Sequence, residues 1–155
     1  LGDAMAGRVR FLDESHSVIF TDKGIQFFST RVETSPELVS QIPIEENIRS
    51  ITYAQDKVGI VTDNMEGGDP YRLRIYDREG SPVFEKSFNY QYTGFDIDGD
   101  LILLYNDSSC KVYNMTGTEK YNGTFDFTVS KVSAGRFPGT LLVMGPQKMT
   151  EIKLQ

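Results

Sequence analysis

An all-β fold assembled from four-stranded units is predicted by three features of this 155-residue chain. Segments 76–88 and 113–125 repeat one another without a gap: Tyr76-Asp77 aligns with Tyr113-Asn114, Gly80 with Gly117, Phe84 with Tyr121 and Phe88 with Phe125. Compact apolar runs centred near Ile19, Ile60, Leu103 and Val143 recur at steps of 41, 43 and 40 residues. Val, Ile, Thr, Tyr and Phe fill short runs throughout, the composition that suits a pleated, half-buried surface. A period near 40 residues that carries four strands marks a β-propeller blade. A sandwich or barrel of many short strands is the competing fold, but nothing in it requires an in-register repeat.

The strands follow in order within each unit. The apolar runs Ser17–Thr21, Val58–Thr62, Leu101–Tyr105 and Leu141–Met144 read as buried second strands. Turn-prone stretches come next: Asp22-Lys23-Gly24, Asp63–Pro70, Asn106–Ser109 and Gly145–Lys148. Alternating third strands follow at Ile25–Ser29, Tyr71–Asp77, Cys110–Asn114 and Thr150–Leu154. Leu73 and Ile75 point one way and Arg72 and Arg74 the other, which predicts a half-buried strand. Tight turns Asp77–Gly80 and Asn114–Gly117 lead to fourth strands Pro82–Phe88 and Glu119–Phe125, with Leu38–Ile44 the counterpart in the first unit. Seven residues after Ile44, Phe88 and Phe125, an apolar residue (Ile51, Phe95, Val132) opens the next unit. The chain thus reads as one partial propeller domain, 1–155, with blades at about 7–44, 48–88, 92–125 and 129–154.

The last blade is incomplete, because only Gln155 follows its third strand. An unpaired outer edge is something natural sheets avoid, and Leu1-Gly-Asp-Ala-Met-Ala-Gly7 is a poor strand to close it. The expectation is a segment of a seven- or eight-bladed ring. Its open blade edges would pair with the missing half or with a second copy.

Several runs carry a resemblance: Tyr71-Arg-Leu-Arg-Ile-Tyr-Asp-Arg-Glu-Gly80, Tyr92-Thr-Gly-Phe-Asp-Ile-Asp-Gly-Asp100, Tyr105-Asn-Asp, the stretch 117–125, and Glu151-Ile-Lys-Leu154. Over about residues 7–155 the chain resembles the C-terminal half of an uncharacterised family of WD40-like or YVTN-like propeller proteins from anaerobic Gram-positive gut bacteria. The resemblance implies a longer, extracytoplasmic protein held at the cell surface by an N-terminal membrane anchor, a segment this chain does not contain. It carries over no catalytic residue.

A net charge of −6, with basic residues scattered singly, argues against a nucleic-acid partner. One cysteine, Cys110, and one histidine, His16, allow neither a disulfide framework nor a Cys/His metal site. Asp96-Ile-Asp98-Gly99-Asp100 has its Gly at the fourth position, too early for a calcium loop, and is read as turn chemistry. His16 is read as a solvated loop residue, Cys110 as a small buried hydrophobe. The sequons at Asn106, Asn114 and Asn122 coincide with turns, and Gly67-Gly68 lacks the Lys and helix of a phosphate loop. No cofactor is expected.

Loops between second and third strands share a propeller face with the links between blades. This collects Glu45, Glu46, Glu66, Asp69, Tyr90 and Tyr92 as the candidate binding residues. The acidic groups favour a basic or neutral partner, and aromatic and amide groups suit a recognition surface. The expected function is a non-catalytic recognition or scaffold module for a protein or glycan. The alternative is a glycan-acting hydrolase with paired carboxylates near the propeller axis.

Overall fold

A computed structural model describes residues 6–30 and 35–155, all strand, turn and loop. Of the terminal run 1–7, which the sequence marks as a poor closing strand, residues 1–5 lie outside the described residues, as do residues 31–34 between the third and fourth strands of the first unit. The strands are β1 (Ala6–Phe11), β2 (His16–Thr21), β3 (Gly24–Ser29), β4 (Glu37–Pro43), β5 (Ile48–Tyr53), β6 (Lys57–Asp63), β7 (Tyr71–Asp77) and β8 (Pro82–Phe88). They continue with β9 (Gly94–Asp98), β10 (Leu101–Tyr105), β11 (Ser109–Asn114), β12 (Glu119–Thr124), β13 (Lys131–Ala134), β14 (Thr140–Met144) and β15 (Met149–Lys153). Among the described residues, no helix is long and apolar enough to cross a membrane.

These strands form four antiparallel meanders, β1-β2-β3-β4, β5-β6-β7-β8, β9-β10-β11-β12 and β13-β14-β15, each strand paired with its sequence neighbour. The fourth sheet has three strands among the described residues. The chain divides after Phe88 into two compact units of two sheets each. In the first unit Val18, Phe20, Ile25 and Phe27 of the first sheet form one core with Val58, Ile60 and Tyr76 of the second. In the second unit Leu103, Cys110 and Val112 pack with Val132, Leu141 and Val143.

The repeat that opens the sequence reading is the β7–β8 and β11–β12 hairpin. Asp77 Oδ1 accepts the N–H groups of Glu79 and Ser81, both at 2.9 Å. Asn114 Oδ1 accepts those of Thr116 at 3.1 Å and Thr118 at 2.9 Å. Gly80 and Gly117 both sit at φ 86°, each donating its N–H to the carbonyl that opens its turn. The register shifts fall at equivalent places, Ile75/Tyr76 and Val112/Tyr113. A type I turn closed by a left-handed glycine and a bulge explains both copies.

One expectation fails. β7 is not half-buried: Leu73, Arg74, Ile75 and Tyr76 are all buried. Arg74 pairs with Ile60 across the ladder, so it lies on the face that packs against the first sheet. Alternation signals a solvent face only when that face is bare, and the face that carries Arg74 is covered by the first sheet.

Gly80 also fits tightly, since a Cβ there would lie 2.8 Å from Phe27 and Ser40, whereas one at Gly99 (φ +60°) would meet nothing within 4 Å. Gly99→Ala should therefore cost only backbone strain, about 1 kcal/mol. Gly80→Ala should cost about 2 kcal/mol more, through the added clash. Urea denaturation of the two variants compares them directly.

Candidate functional site

The link from β4 to β5 and the loop from β6 to β7 meet in a cleft of about 340 Å³, lined by Pro43, Glu45, Glu46, Met65, Glu66 and Arg74. This brings together three of the four acidic residues expected at the binding face. The volume is at the small end of ligand sites, which run from roughly 300 to 1,000 Å³.

The loop is held by its own first residue. The Asn64 amide donates to the carbonyls of Gly67 (3.2 Å) and Asp69 (2.8 Å), while its oxygen accepts the Glu66 N–H. Gly67 and Gly68, at φ 84° and 83°, let the backbone turn that tightly. Asp69 contributes a backbone carbonyl to this staple and does not line the cleft. Met65 is left at the tip, 78% exposed.

Arg74 forms the cleft floor. Its guanidinium donates to Glu46 Oε2 at 3.3 Å and Thr62 Oγ1 at 3.4 Å. Arg72 reaches Glu46 at 3.5 Å and Glu66 at 3.8 Å, and is bound more closely by Glu85. Burial alone would raise the Glu46 carboxyl. A backbone hydrogen bond and the charge of Arg74, joined by Arg72, outweigh it and hold Glu46 below its ordinary value. The carboxylate is thus fixed in its charged form.

The aromatic pair of the expected face lies in the second unit. The Tyr90 hydroxyl is 2.7 Å from Ser109 Oγ, and Lys111 Nζ stands 5.3 Å from the ring centroid. Asn106 donates its amide to the Gln91 carbonyl at 2.8 Å, tying the 89–92 link to the β10–β11 loop. Tyr90 and Tyr92 are both half-buried. Tyr90 anchors its link rather than standing free.

A second cleft, of about 250 Å³, occupies the equivalent place in the second unit. There the β12–β13 link (Phe127, Thr128) meets the β14–β15 loop (Gly145, Pro146, Gln147, Lys148). Lys148 Nζ lies 5.0 Å from the centre of the Phe127 ring and 3.3 Å from Asp126. Sequence reasoning missed Arg74, Met65 and this cleft. An arginine at the centre of a strand that continues into a buried Ile-Tyr pair was the available signal for the first.

His16 is not a solvated loop residue. It opens β2 with its side chain 16% exposed and its Nδ1 2.9 Å from Asp13 Oδ1. Ser15 Oγ is 3.1 Å from the same nitrogen. A nucleophilic triad needs the carboxylate on one ring nitrogen and the hydroxyl on the other, so these contacts orient the ring and activate nothing. Asp13 also accepts from Arg78 at 2.7 Å, joining the first sheet to the turn of the second. A backbone hydrogen bond from Ser15, then those from His16 and Arg78, hold its carboxyl far below the ordinary range.

The acidic turn at 96–100 is likewise engaged: Asp98 accepts the Ala134 N–H at 3.1 Å and Asp96 that of Ile97 at 2.9 Å. Among the described residues, no three His, Cys, Asp or Glu side chains converge as metal ligands. Cys110 is buried, and burial pushes its thiol up to about 12.

A family of unknown function, DUF5711, matches residues 1–154. The chain belongs to this family. No curated protein matches it. Among solved structures it is similar to Kluyveromyces lactis Hsv2 (TM-score 0.53, 11% identity), covering 99% of this chain and 47% of that one. It is similar to BamB from Moraxella catarrhalis (TM-score 0.51, 11% identity), covering 96% and 42%. It is also similar to BBS1N, solved in complex with ARL6DN (TM-score 0.55, 16% identity), covering 97% and 46%. These likenesses establish a β-propeller type of fold for the family member described here. The chain spans about half the length of the structures it matches.

The ion pairs of the cleft and the burial of Cys110 set three outcomes. Glu46, with its folded value lowered, stabilises the protein fully above its ordinary value of 4.5 and progressively less as pH falls below it. Glu46→Gln should flatten that part of a stability–pH profile, and Arg74→Met should cost about 3 kcal/mol by leaving Glu46 without its nearest buried partner. Cys110 should resist a thiol-specific reagent in the folded protein and react fully in urea.

Proposed function

We propose that this chain is a non-catalytic recognition module that takes a basic segment of a protein partner in the Glu45–Glu46–Glu66 cleft. The observation that carries the reading is the cleft itself, where three carboxylates, across a link and a loop, outnumber the two guanidiniums of Arg74 and Arg72 that reach them. The surplus of negative charge favours a cation. Exposed Met65 and Pro43 offer an apolar wall for the aliphatic stem of Lys or Arg. The likeness to BBS1N, whose structure contains a bound ARL6DN, supports a protein-binding use of the fold. The motif resemblance supports a place at a bacterial cell surface, within a larger propeller.

Glu46 is unsuited to be the acid of a glycan hydrolysis, which must stay protonated near neutral pH, because the arginines push it the other way.

Amide NMR of the chain titrated with a tetralysine peptide at low salt tests the reading. Shifts should concentrate at Glu45, Met65 and Glu66. Reversing both Glu45 and Glu66 to Lys should weaken binding about tenfold, from two contacts of roughly 0.5–1 kcal/mol each. Shifts spread evenly over the acidic surface, or indifferent to the double reversal, would sink it.

A further inference from the structure

The clefts of the two units occupy equivalent places, and their residues match one to one. Ile44 and Phe125 each stand seven residues before an apolar residue of the next sheet, Ile51 and Val132, so Glu45 matches Asp126 and Glu46 matches Phe127. Asn64 and Gly145 each donate a backbone N–H across their loop, to the carbonyls of Pro70 and Lys148, so Met65 matches Pro146. In the second cleft Asp126 has its cation, Lys148 Nζ at 3.3 Å, and that cation lies 5.0 Å from the centre of the Phe127 ring. The ring sits against the loop, since a Cβ on Gly145 would lie 2.9 Å from Phe127 Cδ2. Carboxylate, cation, ring and proline are thus all supplied by the chain. In the first cleft only the carboxylates and the apolar wall are its own. Glu46 is taken by Arg74 and Arg72, Glu66 stands 3.8 Å from Arg72, and among the described residues Glu45 makes no ion pair. No aromatic ring lines this cleft, and it is the larger, about 340 Å³ against about 250 Å³.

We propose that the basic segment taken by the first cleft carries an aromatic residue beside its cation, so that the partner supplies the cation–ring pair that the second cleft holds by itself. This rests on the reading of the first cleft as a site for a basic segment, and adds to it a second recognised group and the residue that reads it. The cation goes to Glu45, as Lys148 goes to Asp126. The ring shares with the stem of the cation the wall of Met65 and Pro43. Met65 is 78% exposed on a loop whose shape is fixed by the Asn64 hydrogen bonds and by Gly67 and Gly68 at positive φ. Its thioether is therefore in place before anything binds, which spares the ordering cost of a floppy loop. A thioether packs favourably on an aromatic ring, and a cation beside that ring gains from its negative face. Met65 is thus the residue that sets the preference for an aromatic neighbour. The contact lies at a link and a loop, so a further blade packed on a sheet face leaves it open.

Amide NMR titration of the 155-residue chain at low salt with two capped peptides, Gly-Lys-Phe-Gly and Gly-Lys-Ala-Gly, tests this. The phenylalanine peptide should bind about fivefold more tightly than the alanine peptide, the scale of one sulfur–aromatic contact with its cation–π share. Met65→Ala should bring the two peptides to within about twofold of each other. Met149→Ala, at an exposed methionine of β15 (60%), should leave the preference as it was. Met65 is exposed in a loop, so its replacement leaves the core untouched, and the amide spectrum itself reports folding. Equal affinity for the two peptides in the unaltered chain, with tetralysine still shifting Glu45 and Glu66, overturns the aromatic preference alone. A preference that survives Met65→Ala overturns it too. If neither peptide nor tetralysine shifts Glu45 and Glu66, the reading of the cleft as a site for a basic segment falls, and the aromatic preference with it.

Discussion

Face-to-face burial of apolar rows between neighbouring sheets is the constraint on which the other features rest. In the first unit Val18, Phe20, Ile25 and Phe27 lie against Val58, Ile60 and Tyr76, and each such side chain contributes about 1.5–3 kcal/mol when taken from water. No sheet of three or four short strands hides both of its faces alone. Packing against the first sheet is also what makes a charged side chain between sheets consequential. Arg74 is held there by Glu46 and Thr62, and because Glu46 belongs to the β4–β5 link, the same ion pair fixes the position of the cleft's wall. Core, link and candidate site are one arrangement.

Much of this was legible in the sequence because it is local. The hairpins at Asp77–Gly80 and Asn114–Gly117 declare themselves through an acceptor side chain and a glycine three residues on, and both form the same turn. The apolar runs at Val58–Thr62 and Leu101–Tyr105 declare buried strands by length alone. The placement of Glu45, Glu46 and Glu66 in one cleft followed from topology, since meandering sheets put those connections at the same end.

What was not legible depends on which surface a residue meets. Alternation along Arg72-Leu73-Arg74-Ile75 is the same pattern whether Arg74 meets water or a second sheet. His16 sits in a polar stretch, and only folding shows that Asp13, three residues earlier, and Arg78, far along the chain, converge around it. Tyr90, placed by its sequence position on the candidate binding face, also ties its link to Ser109 through its hydroxyl. Each miss is a tertiary partner overriding a local reading.

The paired hairpin turns have an evolutionary consequence. Asp77 and Asn114 serve their turns through one oxygen that accepts two backbone N–H groups. The second side-chain atom, carboxylate oxygen in one and amide nitrogen in the other, is not needed for that geometry. Asp and Asn are therefore exchangeable at this position, and each exchange alters the surface by a full charge while the sheet beneath stays as it was. Successive blades can drift apart in electrostatic character through a one-atom change, so that copies of one hairpin differ in surface charge without differing in fold.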